Sequence, residues 1–227
     1  MNGIFMVHLT RRFNAIPDFT GPAGAASPRK AFANEGIMLS LEERISAARA
    51  LTMRARTAFT APGPLVSDKI RSELDAIFPT CIAAISAWRR LLPEIAQAST
   101  PILLEAIVSL AMLYSDRGHM FEIKHGSVDP DGGDALKMLK SAYVSYRCSL
   151  SCLVEAAAIA RLKSIEIKPE SLGGESIKER IMTLHDSCTV ASMSLFFVYR
   201  GREEDAQAAL WESIYKEHHS TYNSRQQ

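Results

Sequence analysis

A chain of 227 residues with 47% hydrophobic and 22% charged side chains can bury a sizeable core and is too apolar for intrinsic disorder. A net charge of +1 argues against a protein that coats nucleic acid with its whole surface. The charge is uneven, however: residues 1–60 hold eight Lys/Arg against four Asp/Glu, so any anionic partner is expected to meet the first quarter of the chain.

Residues 1–37 carry Pro17, Gly21, Pro22, Gly24, Pro28 and Gly36 without a sustained period, which predicts an irregular basic arm. Arg11, Arg12, Arg29 and Lys30 give it the means to neutralise phosphates, and Phe5 and Phe13 could stack or insert. The basic pair follows the first apolar run, the reverse of a secretory signal, so a cytoplasmic protein is expected. Export or organellar import through this segment is the alternative.

Residues 38–219 read as one helical domain. Ser40-Leu-Glu-Glu43 is a capping box opening a helix with the stripe Leu41, Ile45, Ala48, Thr52, Ala55 and Phe59. Arg44, Arg49, Arg54 and Arg56 decorate the rest of it and could extend an anion-binding patch from the arm. Ala61-Pro-Gly-Pro64 ends it. Ser67 or Asp68 caps the next helix, predicted over 68–92, with Ile70, Leu74, Ile77, Cys81, Ala84, Trp88 and Leu91 in phase across Pro79. Pro93 and Ser99-Thr-Pro101 predict a looser link. Thr100 and Pro101 then start a third helix, apolar nearly all round from Ile102 to Tyr114 and hence buried on most sides, fraying near Arg117-Gly118.

A tight loop with Asp129, Asp131 and the cap Asp134 leads into a helical hairpin. Its first arm, to about Ile165, has Leu136, Leu139, Tyr143, Tyr146, Leu150, Leu153, Ala157 and Ala160 at alternating steps of three and four. Its second arm, about Ser176 to Tyr199, has Ile177, Ile181, Leu184, Cys188, Ala191, Leu195 and Val198 in the same rhythm. Such spacing lines one stripe of a helix, as in the seams of bundles. Val144, Cys148 and Cys152 form a second apolar face on the first arm. Breakers in Ile167–Gly174 join the arms as antiparallel neighbours. A last helix, about Arg202 to His218, opens with Glu203, Glu204 and Asp205 and has the apolar face Ala206, Leu210, Trp211, Ile214 and Tyr215. Residues 220–227 read as a frayed tail. The fold class is all-α, an antiparallel helical bundle of five to seven helices.

Chemistry is sparse. The cysteines at 81, 148, 152 and 188 sit in apolar helical pattern, as buried reduced thiols do. Cys148, Cys152, His185 and Cys188 have metal-ligand spacing in pairs, but Cys188 belongs to the seam while Cys148 and Cys152 face elsewhere, so packed thiols are expected and no metal. The Asp129 loop lacks the Gly at position six and the Glu at position twelve of a calcium loop. Arg180-Ile-Met-Thr-Leu-His185 resembles the Arg-x4-6-His spacing of the HEPN ribonucleases, in that one motif only. The resemblance implies His185 as acid or base and Arg180 as phosphate holder. Ile181 stands where such motifs usually place a polar residue. No phosphate loop, dinucleotide fingerprint, nucleophile elbow or zinc-protease motif is present, and no cofactor is expected. No stretch reaches the roughly 18 apolar residues of a transmembrane span.

The expected function is therefore non-catalytic: a helical interaction protein (adaptor, structural subunit or assembly factor) that binds itself or another protein. Trp211 and Tyr215 would be its aromatic anchors if exposed. The alternative is a nucleic-acid-binding helical protein, or a small ribonucleoprotein subunit, that uses the basic arm.

Overall fold

The computed structural model describes residues 39–60, 67–126 and 133–224, and for residues 60 and 67–73 the backbone alone. Among these there are six α-helices and no strand: α1 Leu41–Thr60, α2 Ser67–Ala98, α3 Thr100–His125, α4 Gly133–Lys163, α5 Ile177–Gly201 and α6 Asp205–Ser224. A 3-10 turn, Pro169–Leu172, lies between α4 and α5. The all-α expectation holds. The arm, with Arg11, Arg12, Arg29 and Lys30, lies outside the described residues, as do the breakers 61–64, Asp129 and Asp131.

The described residues form two compact units divided within α3, between Ala106 and Ile107. In the amino-terminal unit α1 packs on α2. The Ser40 capping box forms: the Ser40 amide donates to Glu43 Oε2 at 2.7 Å, and the Glu43 amide to Ser40 Oγ at 3.2 Å. Ile45, Ala48 and Ala55 are buried on α1; Leu74, Cys81, Ala84, Trp88 and Leu91 are buried on α2. Arg44 pairs with Glu94, and Trp88 Nε1 donates to Thr52 Oγ1 at 2.8 Å. Rising numbers on α1 meet falling numbers on α2, so the pair is antiparallel.

The looser link expected between Pro93 and Ser99 is not there. α2 runs unbroken through both Pro79 and Pro93 to Ala98, and only Ser99 separates it from α3. Both prolines are exposed, while Leu91, Leu92 and Ile95 are buried around the second one. Burial of three aliphatic side chains, about 1.5–3 kcal/mol each, outweighs the roughly 3 kcal/mol that an interior proline costs.

In the carboxy-terminal unit, α4 packs on α5 and α5 on α6. The part of α3 after Ala106 runs antiparallel to α4: Ser149 Oγ donates to the Ala111 carbonyl at 2.6 Å, and Tyr146 meets His119 and Glu122. The expected fraying at Gly118 does not occur, because this glycine serves a close approach. A β-carbon there would fall 2.7 Å from Cδ1 of Tyr146 and closer still to Cε1. Glycine lets the Tyr146 ring lie on the α3 backbone, which more than offsets its weak helix propensity.

The α4–α5 connection is anchored by Leu172, which is fully buried, and turned by Gly173 and Gly174 at φ 78° and 92°. Ser176 and Glu179 form a second capping box that starts α5. The middle of both seams is buried: Leu139, Tyr143, Tyr146, Leu150 and Leu153 on α4; Ile181, Leu184, Cys188, Ala191 and Leu195 on α5; towards the ends Leu136, Ala157, Ala160, Ile177 and Val198 are only half-buried. The second face of α4 is also used, since Cys148 and Cys152 are buried.

α6 departs from its expected limits and face. It begins at Asp205, with Glu203 left-handed (φ 58°) in the link, and continues to Ser224 where a frayed tail was expected. Its buried residues are Ala208, Trp211 and His218, whereas Ala206 and Leu210 are exposed. The helix is rotated because His218 takes an interior place that apolar patterning does not reveal.

Candidate functional site

α5 carries two stripes. The inner one is the seam. The outer one is Asp186, Val190, Met193, Phe197 and Arg200, at steps of four, three, four and three, and every member is exposed. The three apolar members are 45%, 37% and 60% accessible. At 100° per residue this stripe lies on the side of α5 opposite Leu184, Cys188 and Leu195. Phe196 flanks it, its ring centroid 5.0 Å from that of Phe197. At one end Arg200 reaches Asp205 Oδ1 at 2.6 Å, a pair open to solvent. Three exposed apolar side chains in helical register thus line one face of α5. Among the described residues one stretch, Pro169–Gly201, has the length and apolar composition of a bilayer-crossing helix. Its apolar residues include the buried seam, this outer stripe and the half-buried Ile177, Met182, Phe196 and Val198.

A polar chain with Tyr143 and His218 buried at its centre lies where α4, α5 and α6 meet. The Tyr143 hydroxyl is 3.3 Å from His218 Nε2, and His218 Nδ1 is 3.1 Å from His185 Nδ1. Arg147 donates to the Tyr143 oxygen at 3.0 Å. Trp211 stands edge-on to the Tyr143 ring, 5.0 Å between centroids. Only one of the two facing imidazole nitrogens can carry the bridging proton, so the contact requires at least one neutral ring. Burial, the neighbouring His185 and the Arg147 cation push the His218 pKa down to about 4. Burial pushes the Cys188 thiol up to about 12 with Arg147 opposing, which makes it an inert packed thiol rather than a thiolate.

A second network joins α3 to α4 and α5. The Tyr146 hydroxyl donates to Glu122 Oε2 at 2.5 Å and lies 2.9 Å from His119 Nδ1. Burial, reinforced by the Glu122 carboxylate, holds its pKa well above the ordinary phenol value. Arg180 donates to Glu175 at 3.0 Å and to Ser115 Oγ at 2.8 Å, tying α5 to α3.

Arg180 and His185 therefore have different partners: Arg180 turns to α3 and the Glu175 carboxylate, His185 to α6. Five residues apart, they point about 140° from each other around α5. Cys148, Cys152 and Cys188 are buried free thiols. Among the described residues no three His, Cys, Asp or Glu side chains are grouped to hold a metal ion. On α1, Arg44 is bound to Glu94, and Arg49 makes two bonds of 2.5 Å to Glu105. Arg54 is exposed and Arg56 half-buried. Trp211 is buried against Tyr143, and Tyr215 is half-buried with its ring stacked on His219.

The sequence reading assigns α5 a single stripe and overlooks the outer one, although its four–three spacing is plain once the seam residues are removed. It also overlooks His218, whose only signal is position: it lies one heptad beyond Trp211.

Compared with known protein families, with curated proteins and with solved structures, the chain finds no match in any of the three.

Proposed function

We propose that this chain is a non-catalytic helical interaction protein that docks onto a protein partner through the outer face of α5. The observation that carries this is the exposed stripe Val190, Met193 and Phe197, bounded by Asp186 and Arg200. An apolar centre with a charged rim is the ordinary make-up of a protein–protein contact. The side chains with chemical potential support a framework role: Arg180, His185, His218 and Tyr143 each bond to a neighbouring element of the fold. The nucleic-acid alternative has less behind it on α1, where Arg44 and Arg49 face carboxylates.

Phe197→Asp is the direct test. It places a charge in the middle of the stripe without touching the seam. Partners retained by the wild-type protein on an affinity column should be lost by the variant, with helical circular dichroism unchanged. The same retained partners for both proteins would overturn the reading.

A further inference from the structure

We infer that the occupant of the outer α5 face is a second copy of this chain, the two α5 helices meeting antiparallel about a twofold axis at Met193. The inference rests on the reading of that face as a docking surface and goes on to name the partner.

The stripe is nearly symmetric about Met193. Asp186 lies seven residues before it and Arg200 seven after; Val190 lies three before and Phe197 four after. In an antiparallel pair centred on Met193, each Asp186 meets the Arg200 of the other copy. Met193 meets Met193, and Val190 comes level with Phe196 and Phe197. Opposite charges thus coincide at both ends and apolar groups in the middle, which is the self-complementarity that a twofold interface demands. A parallel, in-register pair would place Asp186 on Asp186 and Arg200 on Arg200, like charge on like. The bond from Arg200 to Asp205 does not prevent the second contact, because a guanidinium has five donors. A bilayer suits this face less well. The stripe is narrow, ends in a carboxylate at one end and a guanidinium at the other, and backs onto a helix whose seam residues Leu184, Cys188, Ala191 and Leu195 are buried.

The buried native thiols make the axis testable by cross-linking. Met193→Cys in the full-length chain gives one exposed thiol against a background of buried cysteines. Under mild oxidation it should yield a disulfide-linked dimer, because the two residues coincide at the axis. Arg200→Cys should not, since its two copies would sit about 21 Å apart, at 1.5 Å per residue over fourteen residues, beyond disulfide reach.

Sedimentation equilibrium then reads the charges. Asp186→Arg and Arg200→Asp alone should each weaken self-association roughly tenfold, and the double swap should restore it. A wild-type chain that stays monomeric overturns the inference. So does a dimer indifferent to all three charge variants, or cross-linking at both positions 193 and 200. A monomer that still captures another protein in a Phe197-dependent way keeps the docking reading and removes only the second copy. Phe197-dependent binding to phosphatidylglycerol vesicles by a monomer would remove both in favour of a lipid surface.

Discussion

The first and last helices of the described chain are fastened in opposite ways. α1 is held over an apolar seam by one inner bond, Trp88 to Thr52, and by charged ties at the rim, Arg44–Glu94 and Arg49–Glu105, which are exposed to solvent. α6 is held by polar ties that are inside, through His218 to Tyr143 and His185, with Trp211 packed alongside. The difference teaches where each unit is vulnerable. Rim pairs in high dielectric are worth little and are screened by salt. A buried imidazole is indifferent to salt and sensitive to protons.

The largest effect is expected from Gly118→Ala. Its new methyl group would meet the ring of Tyr146, which cannot retreat because its hydroxyl is bound to Glu122 and His119. The cost is about 1–3 kcal/mol, the range for overpacking. It should appear as a lowered denaturant midpoint, with hydrogen exchange faster in α4 than in α1. Equal acceleration in both helices would mean that the two modes of fastening are not independent.

Acid should act next. The unfolded chain protonates His218 near the ordinary imidazole value of about 6.5, the folded chain only near about 4. Between those values the unfolded state binds more protons, so stability falls as pH falls through this window and is unaffected by His218 above it. The loss is on the order of 2 kcal/mol by pH 4, after allowance for residual solvation of the ring. Exchange protection should fade first in α6 while α1 keeps its own. His218→Gln should flatten the profile; an unchanged profile would show that another group titrates.

The smallest effects belong to the rim. Arg49→Gln or Glu105→Gln should cost about 0.2–1 kcal/mol each, and 0.5 M salt should mimic them in α1. A double-mutant cycle on this pair with a coupling well above about 1 kcal/mol would mean that the tie is not a rim contact at all.

Much of this plan is legible in the residues themselves. The three–four rhythm on α4 and α5 gives both buried seams, and Ser40 with Glu43 gives the start of α1. What is not legible depends on tertiary partners. Pro93 reads as a stop because its penalty is local, while the burial that outweighs it comes from residues packed by the fold. Gly118 reads as a stop because nothing in the chain announces the Tyr146 ring, 28 residues away in sequence. His218 reads as surface because a histidine carries no burial signal until its hydrogen-bond partners are known. The outer stripe of α5 is a different case. Its spacing is in the sequence, but only a structure shows which of two competing stripes faces inward.

The link between α5 and α6 has a consequence for how the chain acquires its shape. It is only Arg202–Glu204, so the contacts between these two helices are among the most local in the carboxy-terminal unit. Closing so short a loop costs little entropy, and helical hairpins of low contact order form quickly. The α5–α6 pair is therefore a unit that can close early in folding.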